Sequence, residues 1–169
     1  MTKRRKLLRA SSKPLVAFAA VGAWTLMAVP ADATPASGFT AAQQWKGVFG
    51  PLDVDADKTG KWDLKLNSKD DSDVYVTRNA IAAGGQSGWH THPGPSLITV
   101  TVGEITAYDG PLCTPTHYVA GDTFVDPGGD HVHLLRNESG AAAETVAVQF
   151  IPAGATRRID APTPNNCNF

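Results

Sequence analysis

The stretch GGQSGWHTHPGPSLITVTVG, residues 84–103, decides the fold. It runs from a glycine-rich lead-in through His90 and His92 into "SLITVTV", where apolar and polar residues alternate. Side chains of an extended chain point to opposite faces in turn, so His90 and His92 project together and Thr91 projects away. A period of two is the signature of a strand rather than a helix. The chain has 5 histidines, and "HVH" repeats the arrangement with His131 and His133. Two imidazoles on one face can grip one cation. A single such pair also occurs on solvated strands, but two pairs in one strand-rich chain weight the reading toward metal. His117 stands alone on a strand and reads as structural or exposed.

Outward from this stretch the same style continues. The segments "DVYVTRNAIA", "HYVAGDTFVD", "HVHLLRNES" and "ETVAVQFIPAG" are short runs punctuated by Gly, Pro and Asp. Such spacing predicts an all-β sandwich or closed barrel. "VGE" at 102–104 and "NESG" at 137–140 read as hairpin turns. "WDLKL" reads as a strand opening the barrel, so the expected barrel covers 62–155. Before it, in an N-terminal segment over 34–61, "FTAAQQWKGVF" places apolar residues at roughly helical spacing and predicts one short helix with Thr40 as its cap. The proline-rich tail over 156–169 cannot form a central strand. Gly121, Gly128 and Gly129 read as turn formers, Trp89 and Phe124 as packing residues, and Asp126 as a turn residue. Tyr108 and Gln149 are candidates to line a cavity.

The two histidine pairs sit in a recognisable frame. Gly84, five residues, His90, one residue, His92, three residues, Ser96, six residues and Gly103 resemble the first motif of the cupins, with serine where that motif has glutamate. Gly121, Pro127, Gly129, His133 and Asn137 resemble the second, with one additional residue before the histidine. The chain thus resembles a small secreted single-domain cupin of the actinobacterial type. The resemblance covers roughly residues 70–155 and implies a double-stranded β-helix, or jelly-roll, barrel with a metal inside. His90, His92 and His133 take the three histidine positions. His131 completes the coordination, stands at the barrel mouth as a proton donor, or is simply a turn histidine. Serine removes one negative charge from the ligand set, which disfavours hard ions and favours three-nitrogen binding of Fe, Mn, Zn, Cu or Ni. Thiol dioxygenases similarly bind iron through three histidines.

The N-terminus reads as a removable leader over 1–33. Six Lys or Arg residues precede an apolar run at 15–29 and the small-x-small exit Ala31-Asp32-Ala33. The run is shorter than the roughly 20 residues of a spanning helix. "RRKLL" loosely resembles a twin-arginine signal, so export runs through either general secretion or that route. Without the leader, 15 − 6 = 9 basic residues remain against 16 − 1 = 15 acidic ones, a charge near −6. That excess disfavours nucleic acid and anionic membrane as partners. A small-molecule ligand or substrate is the expected partner, and a homodimer is a family-level expectation. Cys113 and Cys167 are the 2 cysteines of an exported chain, and they predict a disulfide pinning the tail. A reactive Cys113 is the alternative. Three functions stay open: a metal-dependent dioxygenase with an isomerase or lyase as runner-up, a non-enzymatic barrel binding metal or a small ligand, and a structural barrel degenerate at Ser96.

Overall fold

The computed structural model describes residues 33–56, 60–164, 166, 167 and 169. The leader expected over 1–33 lies outside them, apart from Ala33, which bridges Pro162. The described chain is built from strands: β1 (Ser37–Phe49), β2 (Asp53–Asp55), β3 (Lys65–Asn67), β4 (Ser72–Gln86), β5 (His90–Thr91) and β6 (Ser96–Val102). There follow β7 (Glu104–Asp109), β8 (Thr114–Val119), β9 (Thr123–Asp126), β10 (His133–Arg136), β11 (Ala143–Pro152) and β12 (Ile159–Asp160). Ten of them form one sheet in the order β12-β5-β10-β4-β11-β6-β9, with β1 added on β4 and the β7–β8 pair added on β10. Every pairing is antiparallel, and the sheet curls into a nearly closed barrel.

Alternation on the two central strands divides the interior. Ile81 of β4 and Ala143 of β11 join Val100, Ile105 and Leu135 in an apolar cluster at one end. Further along the same inward faces stand Thr77 and Asn79 of β4 and Thr145 and Gln149 of β11, all buried and polar. The barrel therefore has an apolar plug and a polar chamber, and the histidines face the chamber. A second apolar cluster of Trp89, Leu134 and Ala161 packs under the tail. There the Cys113–Cys167 disulfide joins the β7–β8 turn to the chain end across 54 residues, with Cα atoms 5.4 Å apart. Closing such a loop contributes about 4 kcal/mol in the chain-entropy account.

Three expectations are corrected. The helix expected over 39–49 is strand β1, which pairs with β4 from Phe39↔Ile81 to Phe49↔Ser72. Its helical spacing is local, and Gly47 weakens it. The 15-residue β4 presents a long row of backbone donors and acceptors that a helix would leave unpaired. Pairing wins, helped by Phe39 packing on the apolar cluster and by a 2.8 Å bridge from Lys46 to the buried Asp73. Next, "VGE" and "NESG" do not close hairpins: β6 and β7 are not partners, nor are β10 and β11. Each carries the chain from one side of the barrel to the other. Gly103, at φ 67°, would drive a Cβ to 2.7 Å from the Ala142 carbonyl, so the crossing requires glycine. At the other crossing Asn137 donates to the Ile81 and Ala141 carbonyls and accepts from the Ser139 amide and hydroxyl. Last, "WDLKL" contributes only β3, which pairs with β2 in a separate ribbon and leaves Trp62 exposed.

Candidate metal centre

His90 and His133 are cross-strand partners of β5 and β10, and His92 follows His90 on the same face. Their ring centroids lie 4.3 Å apart for His90 and His133, 4.9 Å for His90 and His92, and 5.6 Å for His92 and His133. One ring nitrogen from each falls within 4.8 Å of the other two. The residues sequence spacing paired are thus brought together, and all three are buried.

The other nitrogens of two rings are already committed. His90 Nδ1 donates to the Gly88 carbonyl at 2.8 Å, and His92 Nδ1 donates to the Arg157 carbonyl at 2.7 Å. Each bond fixes the tautomer that leaves Nε2 as a lone pair toward the chamber, the state a metal needs. His133 Nδ1 is buried with no hydrogen-bond partner, and Asp126 Oδ1 lies 3.5 Å from it. A carboxylate behind a ligating imidazole is the arrangement that orients such a ring. The donor set is therefore three neutral nitrogens, two of them held from behind by carbonyls, and it fits a borderline transition ion better than Mg²⁺ or Ca²⁺.

Asp126 is more than the turn residue expected. It lies in β9, opposite Ser96, and is buried. Its Oδ1 accepts from the Gly128 amide at 3.2 Å and from His131 Nδ1 at 3.0 Å. His131 is thus turned away from the three-histidine group. Its Nε2 lies 3.5 Å from Asp109, and a third of its side chain is exposed. Among the described residues the ion-sized groupings are His90, His92 and His133 on one side, and Asp126, His131 and His133 on the other. His117 is exposed, 3.3 Å from Glu104 and remote from both.

The chamber is small, about 40 Å³, and its walls include Thr77, Asn79, Gln149, Arg157 and Arg158. Ser96, where the cupin motif that the sequence resembles has glutamate, accepts from Gln149 Nε2 at 2.9 Å. Gln149 Oε1 in turn accepts from Arg157 Nη1 at 2.7 Å. Gln149 lines the chamber as expected; Tyr108 lies outside it, bonded to Glu138. Arg157 was missed because it follows the barrel strands, where spacing carries no register. The available signal was a pair of arginines in a chain poor in basic residues.

Burial holds all three rings uncharged. It pushes His90 well below the ordinary histidine range, lowers His92, and takes His133 to about 4 against the opposing pull of Asp126. These values lie below those of an unfolded chain, so as pH falls below about 6.5 the unfolded state takes up protons that the native state refuses. Metal-free protein should accordingly lose stability from pH 6.5 down toward pH 4, with His133 alone contributing roughly 2 kcal/mol of that loss at pH 5. Denaturant midpoints at pH 7 and pH 5 check this. A flat profile would contradict the burial, and His133→Gln should flatten the slope.

No protein-family model matches the chain, and no curated protein does. Among solved structures it is similar to a cupin-2 domain from Rhodospirillum rubrum, with TM-score 0.50 and 13% identity over 75% of this chain and 68% of that one. It is also similar to a double-stranded β-helix protein from Klebsiella pneumoniae, with TM-score 0.43 and 25% identity over 66% and 85%. A cupin domain from Bordetella pertussis matches with TM-score 0.41 and 18% identity over 60% and 93%. The first likeness assigns the fold: the barrel is a cupin barrel.

Proposed function

We propose that this cupin barrel is an exported protein that holds one divalent transition ion on His90, His92 and His133 and uses it as an oxygenase on a small molecule. The supporting observation is the convergence of three buried imidazoles, two of them locked by Nδ1 bonds to carbonyls with Nε2 left over. A barrel kept only for structure has no use for such rings, because an unsatisfied imidazole nitrogen inside a protein is costly. Three protein ligands leave coordination positions open, as a reacting site requires. When bound, iron or copper would supply dioxygen chemistry there. The chain's own residues do the rest: two carbonyls hold the His90 and His92 rings, Asp126 lies 3.5 Å behind His133, and the small chamber limits what enters. Export is supported by the disulfide and by the basic, apolar, small-residue order of the N-terminus.

Elemental analysis of mature protein, purified without added metal, tests the centre. About one equivalent of a transition metal is expected. Less than a tenth of an equivalent in folded protein would overturn it. Oxygen uptake by the iron-loaded chain across small thiols, phenols and diketones tests the oxygenase. Silence across the panel would reject that class and leave metal binding standing.

A further inference from the structure

The chamber's charges do not balance. Among the described residues no carboxylate lines it, since Ser96 stands where one is expected and Asp126 lies behind His133. Two guanidinium groups do. Arg158 is compensated by Asp160 at 2.6 Å and by the Ser87 carbonyl. Half-buried Arg157 has one hydrogen-bond partner among the described residues, the neutral Gln149. Its remaining donors meet no hydrogen-bond partner among the described residues, and a partly buried cation without a counter-charge is unfavourable. The chamber is also lined by Thr77, 1% exposed, whose hydroxyl is buried without a partner. Nothing about Arg157 is loose. Its backbone carbonyl receives His92 Nδ1, and its side chain is tied through Gln149 to Ser96.

We infer that the chamber is an anion site, in which Arg157 and Thr77 bind one oxygen face of a one- or two-carbon carboxylate whose other oxygen reaches the metal position. A planar guanidinium fork matches a carboxylate in shape and charge. The Thr77 hydroxyl donates the further hydrogen bond that the structure leaves unmade. Size sets the upper limit: about 40 Å³ holds roughly three waters, hence only a few heavy atoms. A divalent ion on three neutral imidazoles adds two positive charges, so the anion serves both cations. The inference rests on the metal reading for one anchor of the ligand and on Arg157 for the other.

The test is the melting temperature of mature protein, metal-free and cobalt(II)-loaded, against sodium acetate, with sodium chloride at equal ionic strength as the control. A saturable rise with acetate, absent with chloride, is expected in both forms and at lower acetate when cobalt is bound. Arg157→Gln should weaken acetate at least tenfold while cobalt content stays the same. Arg157→Lys keeps the charge without the fork and should fall between. If Arg157→Gln does not fold, Thr77→Val, expected to weaken acetate severalfold, carries the test. Acetate binding that ignores both substitutions, or no saturable effect in either form, overturns the inference. Phosphate binding more tightly than acetate overturns the carboxylate assignment. Failure to load cobalt, with Arg157-dependent acetate binding intact, would reject the metal centre and leave the anion site.

Discussion

Loading the mature chain with one equivalent of zinc or iron(II) is expected to raise its stability by about 4 kcal/mol when free metal exceeds the dissociation constant a thousandfold. Chelation should reverse the gain. The size follows from linkage: an ion that binds the native state alone adds stability as the logarithm of one plus the ratio of free ion to its dissociation constant, and the unfolded chain offers no preassembled site. His92→Ala should abolish the gain, because two nitrogens remain where three converge. The same substitution also removes the bond to the Arg157 carbonyl, so the metal-free variant should itself lose about 1 kcal/mol. The decisive quantity is therefore the metal-dependent increment, not the stability of either form. A His117→Ala variant should keep the full increment, since that residue lies exposed beside Glu104. An increment that survives His92→Ala would remove the three-histidine centre.

How far the sequence foretold this depends on where each residue's neighbours come from. His90 and His92 share a face because of the two-residue period alone, and their pairing with His133 came from matching two separated motifs. The Asp126 contact could not be read the same way. It depends on β9 pairing with β6, in a register that places Asp126 opposite Ser96, and no local pattern specifies that pairing. Arg157 depends on a chain reversal after β11 that brings its carbonyl to His92. The helix expected over 39–49 failed for the same reason in reverse. Local spacing was genuine, but the unpaired edge of β4 made a stronger demand on the backbone than local preference did. "VGE" and "NESG" have the composition of hairpin turns and make barrel crossings instead. Composition fixes the bend, while the partner of the next strand is settled by the whole sheet.

Gly128→Ala is expected to be among the most damaging single-methyl changes in the molecule, costing about 3 to 5 kcal/mol and weakening metal binding. Gly128 has φ 71°, and an added Cβ would lie 2.3 Å from the Gly94 carbonyl oxygen and 2.5 Å from its carbon. Those neighbours are backbone, so no side chain can swing aside. The left-handed conformation alone costs a non-glycine residue roughly 1 to 2 kcal/mol. The remainder comes from forcing two loops apart. One follows His92 through Pro93 and Gly94, and the other precedes His131 and His133. The same junction carries the Gly129 amide to the His92 carbonyl at 2.7 Å and the Thr91 hydroxyl to the Gly129 carbonyl at 2.6 Å. Opening it moves His92 relative to His133. Gly129→Ala supplies the contrast, since that glycine also has positive φ, 65°, but its added Cβ meets nothing within 4 Å. It should cost about 1 kcal/mol and leave metal content unchanged. Urea midpoints and metal stoichiometry of the two variants distinguish a steric lock from a simple conformational preference. Equal losses at the two sites would mean that the Gly94–Gly128 contact does not hold the histidine loops together.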